Sequence, residues 1–302
     1  MPTRSPARYQ YVTFAAQIQR AVRKLLTILF CLVASLAAAE ETGRPIRFGL
    51  TPVIVADQAK LLEAWRTYLQ KRLGRPVTFV VRENYSDTME LIKRDLLDFA
   101  WVSDYPYVTL EQTHRARLLV TPVHRNTPTY HALLIVPVAD QVTTSIFDLE
   151  GKIFAYADAN SFTGYLVPRS ELQTNGKNPT KFFRKTFFTH GHQRVIEAVA
   201  IGLANGGMVD GFIWESLARL RPSLTEKTRI VAQSAEYGFP PIVARQSMSP
   251  TEAAAMRKVL IDMADDREGA ALLADLNIDG FVDGNRHLYD EVLEMMKVMG
   301  EL

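Results

Sequence analysis

The chain has 302 residues, enough for one large α/β domain or two medium ones, and its 47% apolar and 23% charged residues suit a globular protein with a real core rather than a disordered or fibrous chain. The formal charge of +2 is unevenly spread: residues 1–39 hold Arg4, Arg8, Arg20, Arg23 and Lys24 and no acid. The remainder keeps 30 basic against 33 acidic residues, a weakly acidic body without the electrostatic footprint of a nucleic-acid binder.

The first element in chain order reads as an export signal over residues 1–39. Arg20, Arg23 and Lys24 precede an apolar run over 25–36, and Ala37-Ala38-Ala39 supplies small residues for cleavage before Glu40. The run is shorter than the ~20 apolar residues of a membrane span, so a retained anchor is the lesser alternative. Cys31, the one cysteine, lies inside this run, and the bulky Ile28-Leu29-Phe30 before it argues against lipidation. Cleavage then leaves a cysteine-free chain with no disulfide, thiolate metal site or cysteine nucleophile.

Strands and helices alternate from there. Ile46–Leu50 is a short strand ending at Thr51-Pro52. Leu61, Leu62, Trp65, Leu69 and Leu73 recur at helical spacing over 57–73, and Gly74 and Pro76 follow as stop signals. Val77–Val81 is the second strand, and Asp87 and Glu90, at capping-box spacing, open a helix with Met89, Ile92 and Leu96. Residues 99–102 form a buried strand running into Ser103-Asp104-Tyr105-Pro106-Tyr107. This order predicts a mostly parallel sheet flanked by helices.

A second unit starts near residue 138. A strand over 152–156 leads into Asp158-Ala159-Asn160-Ser161-Phe162-Thr163-Gly164 and a helix. A strand over 185–189 and a helix over 193–203 follow, the helix stopped by Asn205-Gly206-Gly207, and 211–214 reads as another strand. Extended stretches at 131–136 and 229–232 flank the unit. Helices finish the chain, one opened by the capping box Ser249-Pro250-Thr251-Glu252 and the last repeating Leu288, Val292, Met295 and Met299. The second unit thus reads as an insertion: residues 40–136 plus 236–302 as lobe 1, residues 137–235 as lobe 2. Two crossings between lobes make a hinge, and the cleft they border is a favoured ligand site.

Four places can carry chemistry. Ser161-Phe162-Thr163-Gly164 puts hydroxyls and free amides at a helix start, which suits either an anion or a plain N-cap. His190-Gly191-His192 opens a helix after a strand. It fits a metal pair poorly, since no acid or histidine cluster completes a shell, and the open readings are a general base for Ser161, a cap or a donor to an oxyanion. Tyr85 and Tyr107 follow strands of the first unit, where parallel sheets present ligands, although half-buried packing is the commoner role there. Trp214 and Glu215 are expected at the end of a second-unit strand, Trp214 as packing and Glu215 as a partner for a cationic group or a solvated acid.

Together these residues resemble the phosphate/phosphite/phosphonate ABC-transporter substrate-binding family, with its type II periplasmic-binding-protein fold. The resemblance runs from about Ile46 to the C-terminal helices. It rests on Asn84-Tyr85-Ser86, on Leu97-Asp98-Phe99-Ala100-Trp101-Val102 with Tyr107 beyond, on Asp148-Leu149-Glu150-Gly151-Lys152, on Ser161-Phe162-Thr163-Gly164-Tyr165-Leu166-Val167-Pro168, on His192 and on Val209-Asp210-Gly211.

The resemblance implies a two-lobed α/β protein, each lobe a mostly parallel sheet, joined by a two-crossing hinge. It implies that Ser161, Thr163 and the amides around Phe162 hold an oxyanion, that His192, Tyr85 and Tyr107 complete the ring of donors, and that Glu215 aligns loosely with an acidic ligand residue. It further implies a periplasmic monomer that catalyses nothing, needs no metal or cofactor, binds no nucleic acid, and hands a small oxyanion to an ABC permease in the inner membrane. Relatives that bind aminoalkylphosphonates carry an acid in the second crossing, about where this chain has Pro240, and Phe162 is bulkier than the small residue usual in the serine loop. Phosphite, phosphate or a small phosphonate is therefore the expected ligand. The alternatives are a periplasmic sensor serving a membrane kinase, and a secreted serine hydrolase built on Ser161 and His192. The hydrolase needs an acid within hydrogen-bond reach of His192, and the chain lacks a G-x-S-x-G elbow.

Overall fold

In the computed structural model, residues 44–51 and 58–302 are described; the export signal expected over residues 1–39, Cys31 included, lies outside the described residues. Strand β1 (Ile46–Leu50), helix α1 (Ala59–Leu73), β2 (Val77–Val81), α2 (Tyr85–Lys93), β3 (Phe99–Trp101), α3 (Asp104–Gln112) and β4 (Ala116–Val123) alternate as the periodicity predicts. Gly74 ends α1 in the left-handed conformation (φ 64°), which a side chain would strain. α2 is capped differently from expectation. Asn84, in extended conformation, accepts from the Asp87 N–H at 2.9 Å, so the helix starts earlier and Tyr85 becomes its first residue.

The chain then crosses through β5 (Thr129–Tyr130) into β6 (Ala132–Pro137), β7 (Ile153–Tyr156), α4 (Val167–Thr174), β8 (Lys185–Phe188), α5 (His192–Ala200), β9 (Gly206–Asp210), α6 (Gly211–Leu220), α7 (Pro222–Thr225) and β10 (Thr228–Gln233). It returns through β11 (Tyr237–Gly238) to β12 (Ile242–Arg245), α8 (Pro250–Ile261), α9 (Arg267–Leu276), β13 (Gly280–Asp283) and α10 (Asp290–Val298). The Ser249 cap of α8 forms as expected, its hydroxyl accepting from the Glu252 N–H at 3.2 Å.

Two sheets result, six-stranded in the order β13-β4-β12-β3-β1-β2 and five-stranded in the order β10-β6-β9-β7-β8. The two crossing strands pair with each other, Tyr237 opposite Tyr130, and form the link between the lobes. Each sheet is mixed rather than mostly parallel. The β2-β1-β3 and β9-β7-β8 sets are parallel, but β12 runs antiparallel to β3, and β6 antiparallel to β9. β6 and β12, each the first strand of its sheet after a crossing, run against their neighbours β9 and β3.

One segment differs from the sequence reading. Gly206 and Gly207 do not stop a helix; they belong to the buried strand β9, and the expected strand over 211–214 is the first turn of α6. A Cβ on Gly207 would run into Val195 of α5 and the Ala155 carbonyl, so glycine here lets a helix and a neighbouring strand close on β9. Trp214 and Glu215 therefore stand on a helix.

Aromatic packing holds each lobe. In the first, Trp65 meets Phe48 at 5.6 Å and Trp101 at 5.9 Å between ring centres, all three buried. In the second, Phe154 stacks on Phe183 at 4.4 Å. Among the described residues no helix is long and apolar enough to cross a membrane.

Candidate functional site

The loop after β7 turns sharply before α4. Asp158 starts it, its side chain accepting from the Asn160 N–H at 2.8 Å. Ser161 then caps a wide π-type turn over Phe162–Leu166, with its Oγ accepting from the Gly164 N–H at 3.1 Å. Such turns recur at functional sites. Gly164 permits the turn's tightness: a Cβ there would lie 2.5 Å from the Ala157 Cβ and 3.0 Å from the His192 ring. Ser161, Phe162 and Thr163 are all buried.

His192, the first residue of α5, comes up against this turn. Its Nε2 lies 3.2 Å from Ser161 Oγ, and its Nδ1 accepts from the Asp210 backbone N–H at 3.1 Å. Nδ1 therefore carries no proton, and in the neutral ring the hydrogen sits on Nε2, pointing at Ser161. Burial keeps the ring neutral, lowering its pKa from 6.5 to about 3. Ser161 Oγ thus accepts twice, from Gly164 and His192, and its own O–H remains for a ligand. His190 goes elsewhere: exposed, at φ 63°, it lies 3.7 Å from Asp158.

The first lobe closes the other side. Phe162 N–H donates to Ser103 Oγ at 3.3 Å, and Asn160 Nδ2 donates to Ser86 Oγ at 2.9 Å. The Phe162 ring sits edge-on to the hinge residue Tyr237 at 4.8 Å. Tyr85 is fully buried, and its hydroxyl neighbours Ser161 but forms no well-aligned hydrogen bond among the described residues. Burial first, then nearby Asp210, Asp158 and Asp104, raises its pKa, so it is a phenol with a hydrogen to give.

Two expected residues are committed elsewhere. The Tyr107 hydroxyl donates to Glu111 Oε1 at 2.6 Å, one turn along α3, and its ring packs edge-on to Tyr289 at 4.7 Å. Glu215, expected at a strand end, projects from α6 and is held by His124 Nε2 at 2.9 Å and Arg125 Nη1 at 2.8 Å. It ties α6 to the end of β4 and has no free oxygen facing Ser161. Pro240 contributes only its carbonyl, which accepts from Trp101 Nε1 at 2.9 Å.

Two buried carboxylates at the site escaped the sequence reading. Asp210 ends β9 and caps α6, accepting from the Ile213 N–H at 3.1 Å; burial is the main cause of its pKa rising to about 7, against the helix-start amides. Asp104 opens α3, 1% exposed; Oδ2 accepts from the Tyr130 hydroxyl at 2.5 Å, while Oδ1 has no partner among the described residues. An acid in a helix's first turn ordinarily complements the dipole from solvent, which is why its sequence position looked unremarkable. The available signal was its place two residues after the apolar Phe99-Ala100-Trp101-Val102.

Two lobes on mixed sheets, linked by paired crossings and meeting over a capped turn rich in donors, define a type II periplasmic-binding-protein fold. Within that class the chain belongs to the ABC transporter, phosphonate, periplasmic substrate-binding protein family, which it matches over residues 48–289. Among solved structures it is similar to the binding component of an ABC phosphonate transporter from Pseudomonas aeruginosa (TM-score 0.77, 21% identity, covering 83% of this chain and 85% of that one). It is equally similar to PhnD1 from Prochlorococcus marinus in complex with methylphosphonate (TM-score 0.77, 18% identity, 85% and 98% covered). A Xanthomonas citri protein bound to chloride follows at TM-score 0.68, with 20% identity and 85% and 99% covered.

Proposed function

We propose that this protein captures a phosphorus oxyanion (phosphite, phosphate or a small phosphonate) between its lobes in the periplasm, and delivers it as a monomer to an ABC permease. The observation that carries the reading is the convergence of donors in one buried place. The Ser161 O–H and the Tyr85 O–H are unspent there, the His192 Nε2–H and the Gly164 amide back Ser161 Oγ, and the amide of Phe162 reaches Ser103 where the lobes meet. Neutral dipoles of this kind hold a tetrahedral anion without a buried cation. Ser161, Phe162 through its amide, Thr163, His192 and Tyr85 form the cradle in this reading; Tyr107 and Glu215 serve packing and lobe contact instead. The pairing of β5 with β11 supports a hinge at those strands.

The hydrolase reading finds no support in the geometry. A base for Ser161 needs a bare Nε2, whereas here Nδ1 is the acceptor and the Asp210 carboxylate caps α6 instead of orienting the imidazole. Titration calorimetry with phosphite, phosphate, methylphosphonate and 2-aminoethylphosphonate tests the proposal. It expects saturable heat with one of the first three, and heat with none of them refutes it.

A further inference from the structure

Helix α10 lies across both lobes, packing on α3 of the first and α4 of the second. Its start is fixed to the first lobe. In the turn over Arg286–Tyr289 before it, the Tyr289 hydroxyl donates to the Phe239 carbonyl at 2.9 Å, and Arg286 lies 3.4 Å from Glu111 of α3. Its end is fixed as well. Gly300, left-handed at φ 69°, donates to the Lys297 carbonyl at 3.0 Å and Glu301 to the Met296 carbonyl at 2.9 Å, the paired bonds of a Schellman cap. Glu301 is therefore placed by the helix rather than trailing from it.

From that place its carboxylate spans the lobes. Oε2 accepts from the Tyr105 hydroxyl of α3 at 2.5 Å, and Oε1 lies 3.5 Å from Arg169 Nη1 of α4. Burial, then the bond to Glu301, raises the Tyr105 pKa and keeps the phenol a donor. Both anchors adjoin the cradle. Tyr105 stands two residues after Ser103, whose hydroxyl meets the Phe162 amide. The Arg169 guanidinium lies 4.5 Å from the ring centre of Tyr165, inside the turn that Ser161 caps. The Arg169 and Glu301 side chains are 17% and 26% exposed, so water screens the pair less than at the open surface. Among the described residues Glu301 is the acid that Arg169 pairs with. Opening the lobes would part the two, because α10 is tied to the first lobe and Arg169 belongs to the second.

We infer that Glu301 is a clasp between the lobes: with Tyr105 on one side and Arg169 on the other, its carboxylate holds the closed form and slows the ligand's escape. Glu301 is thus a positioning residue, acting through Arg169 and Tyr105 rather than on the ligand. The inference rests on the oxyanion reading and adds to it a control on how long the ligand stays. A clasp that forms after the lobes have met changes dissociation rather than encounter.

Stopped-flow fluorescence on the purified protein tests it, with phosphite, phosphate and methylphosphonate as probes. Glu301→Gln keeps the shape and still accepts from Tyr105 but removes the charge. It should release the bound probe roughly three- to tenfold faster, the scale of a partly buried, charge-assisted pair, with association unchanged. Raising sodium chloride from about 0.05 M to about 0.5 M should narrow the gap between wild type and variant, because salt weakens the pair only where it exists. Arg169→Gln should quicken release too, and the double variant should be no faster than the faster single one.

Release from Glu301→Gln at the wild-type rate overturns the inference, as does a loss of affinity carried by slower association or a gap that salt leaves unchanged. A thermal melt matching wild type confirms that Glu301→Gln is folded. If wild type binds none of the three probes, the functional proposal fails, and the clasp is then judged on ligand-free protein carrying one spin label in each lobe. Glu301→Gln should widen the interlobe distance there, and equal distances in both proteins overturn the clasp.

Discussion

His192 and Asp210 touch through the Asp210 N–H and titrate in opposite senses, which gives a stability experiment independent of any ligand. His192 has its pKa lowered by burial from 6.5 to about 3, so the unfolded chain binds the extra proton and stability is lost as pH falls through that window. Asp210 has its pKa raised, again chiefly by burial, from 3.8 to about 7, so the folded protein binds the proton and stability is gained over nearly the same fall. At 1.36 kcal/mol per pKa unit, going from about pH 7.5 to about pH 5 costs ~2 kcal/mol through His192 and returns ~2 kcal/mol through Asp210. The pair should nearly cancel in the wild type.

Asp210→Asn removes one arm and keeps the other, because an asparagine oxygen can still cap α6 by accepting from Ile213. Relative to wild type, the variant should lose ~2 kcal/mol between those pH values. That is roughly 4–8 °C in melting temperature for a chain of this size. Groups that do not feel Asp210 drop out of the difference; Asp104, whose pKa Asp210 helps raise, eases back slightly in the variant, which adds to the loss. Differential scanning calorimetry of both, without added oxyanion, gives the answer directly. Parallel curves from pH 7.5 to pH 5 would refute the picture of a buried acid and a buried neutral imidazole. His192→Phe should tilt the wild-type curve the other way.

Ser161→Ala and Thr163→Ala should each weaken oxyanion binding by roughly 1–3 kcal/mol in calorimetry, the scale of a hydrogen bond to a charged group; unchanged affinity in the double variant would move the ligand elsewhere. Gly164→Ala forces the new methyl against Ala157 and the His192 ring, so it should cost about 1–3 kcal/mol in denaturant unfolding and abolish binding. Trp65→Ala, in the first lobe's aromatic cluster, should cost about 3–5 kcal/mol of stability by urea melts while the cradle keeps its chemistry. Glu215→Ala removes a half-exposed ion pair between lobes, so it should shift ligand-free protein toward a larger radius of gyration in X-ray scattering at a cost of about 1 kcal/mol or less.

The parts of this architecture that local pattern encodes were readable in advance. The apolar spacing of Leu61, Trp65, Leu69 and Leu73 with Gly74 beyond specified α1, and Ser249-Pro250-Thr251-Glu252 specified the start of α8. The Ser161 turn was legible as a helix start with free hydroxyls. Where the structure departs from the reading, contacts that local pattern does not show decide the outcome. Gly206 and Gly207 look like a stop signal until Val195 and Leu149 pack on them, when they become the thin part of a central strand. Glu215 looks like a ligand residue until His124 and Arg125, 91 and 90 positions away, take both its oxygens. Tyr107, expected in the donor ring, has its hydroxyl on Glu111, one turn along. Asp104 was overlooked because its burial depends on Tyr130 arriving from the hinge.

The contacts that hold the lobes together explain why a ligand should control closure. At the cradle they amount to Asn160 on Ser86 and Phe162 on Ser103. At α6 they are Glu215 on His124 and Arg125, Ser216 accepting from Asn277 at 2.9 Å, and Arg219 donating to the Ala274 carbonyl at 3.0 Å. All are polar, and several are open to water, so each contributes little net free energy against solvated alternatives. Apolar contacts join them: the buried Phe212 of α6 packs edge-on to Phe239 at 5.0 Å, and Phe162 to Tyr237 at 4.8 Å. In the proposed reading, a ligand that satisfies the Tyr85 hydroxyl adds stabilisation only in the closed form. A molecule binding both forms equally would shift nothing. In that reading the unspent hydroxyl gives the right anion its differential affinity and couples its recognition to closure about the β5–β11 link.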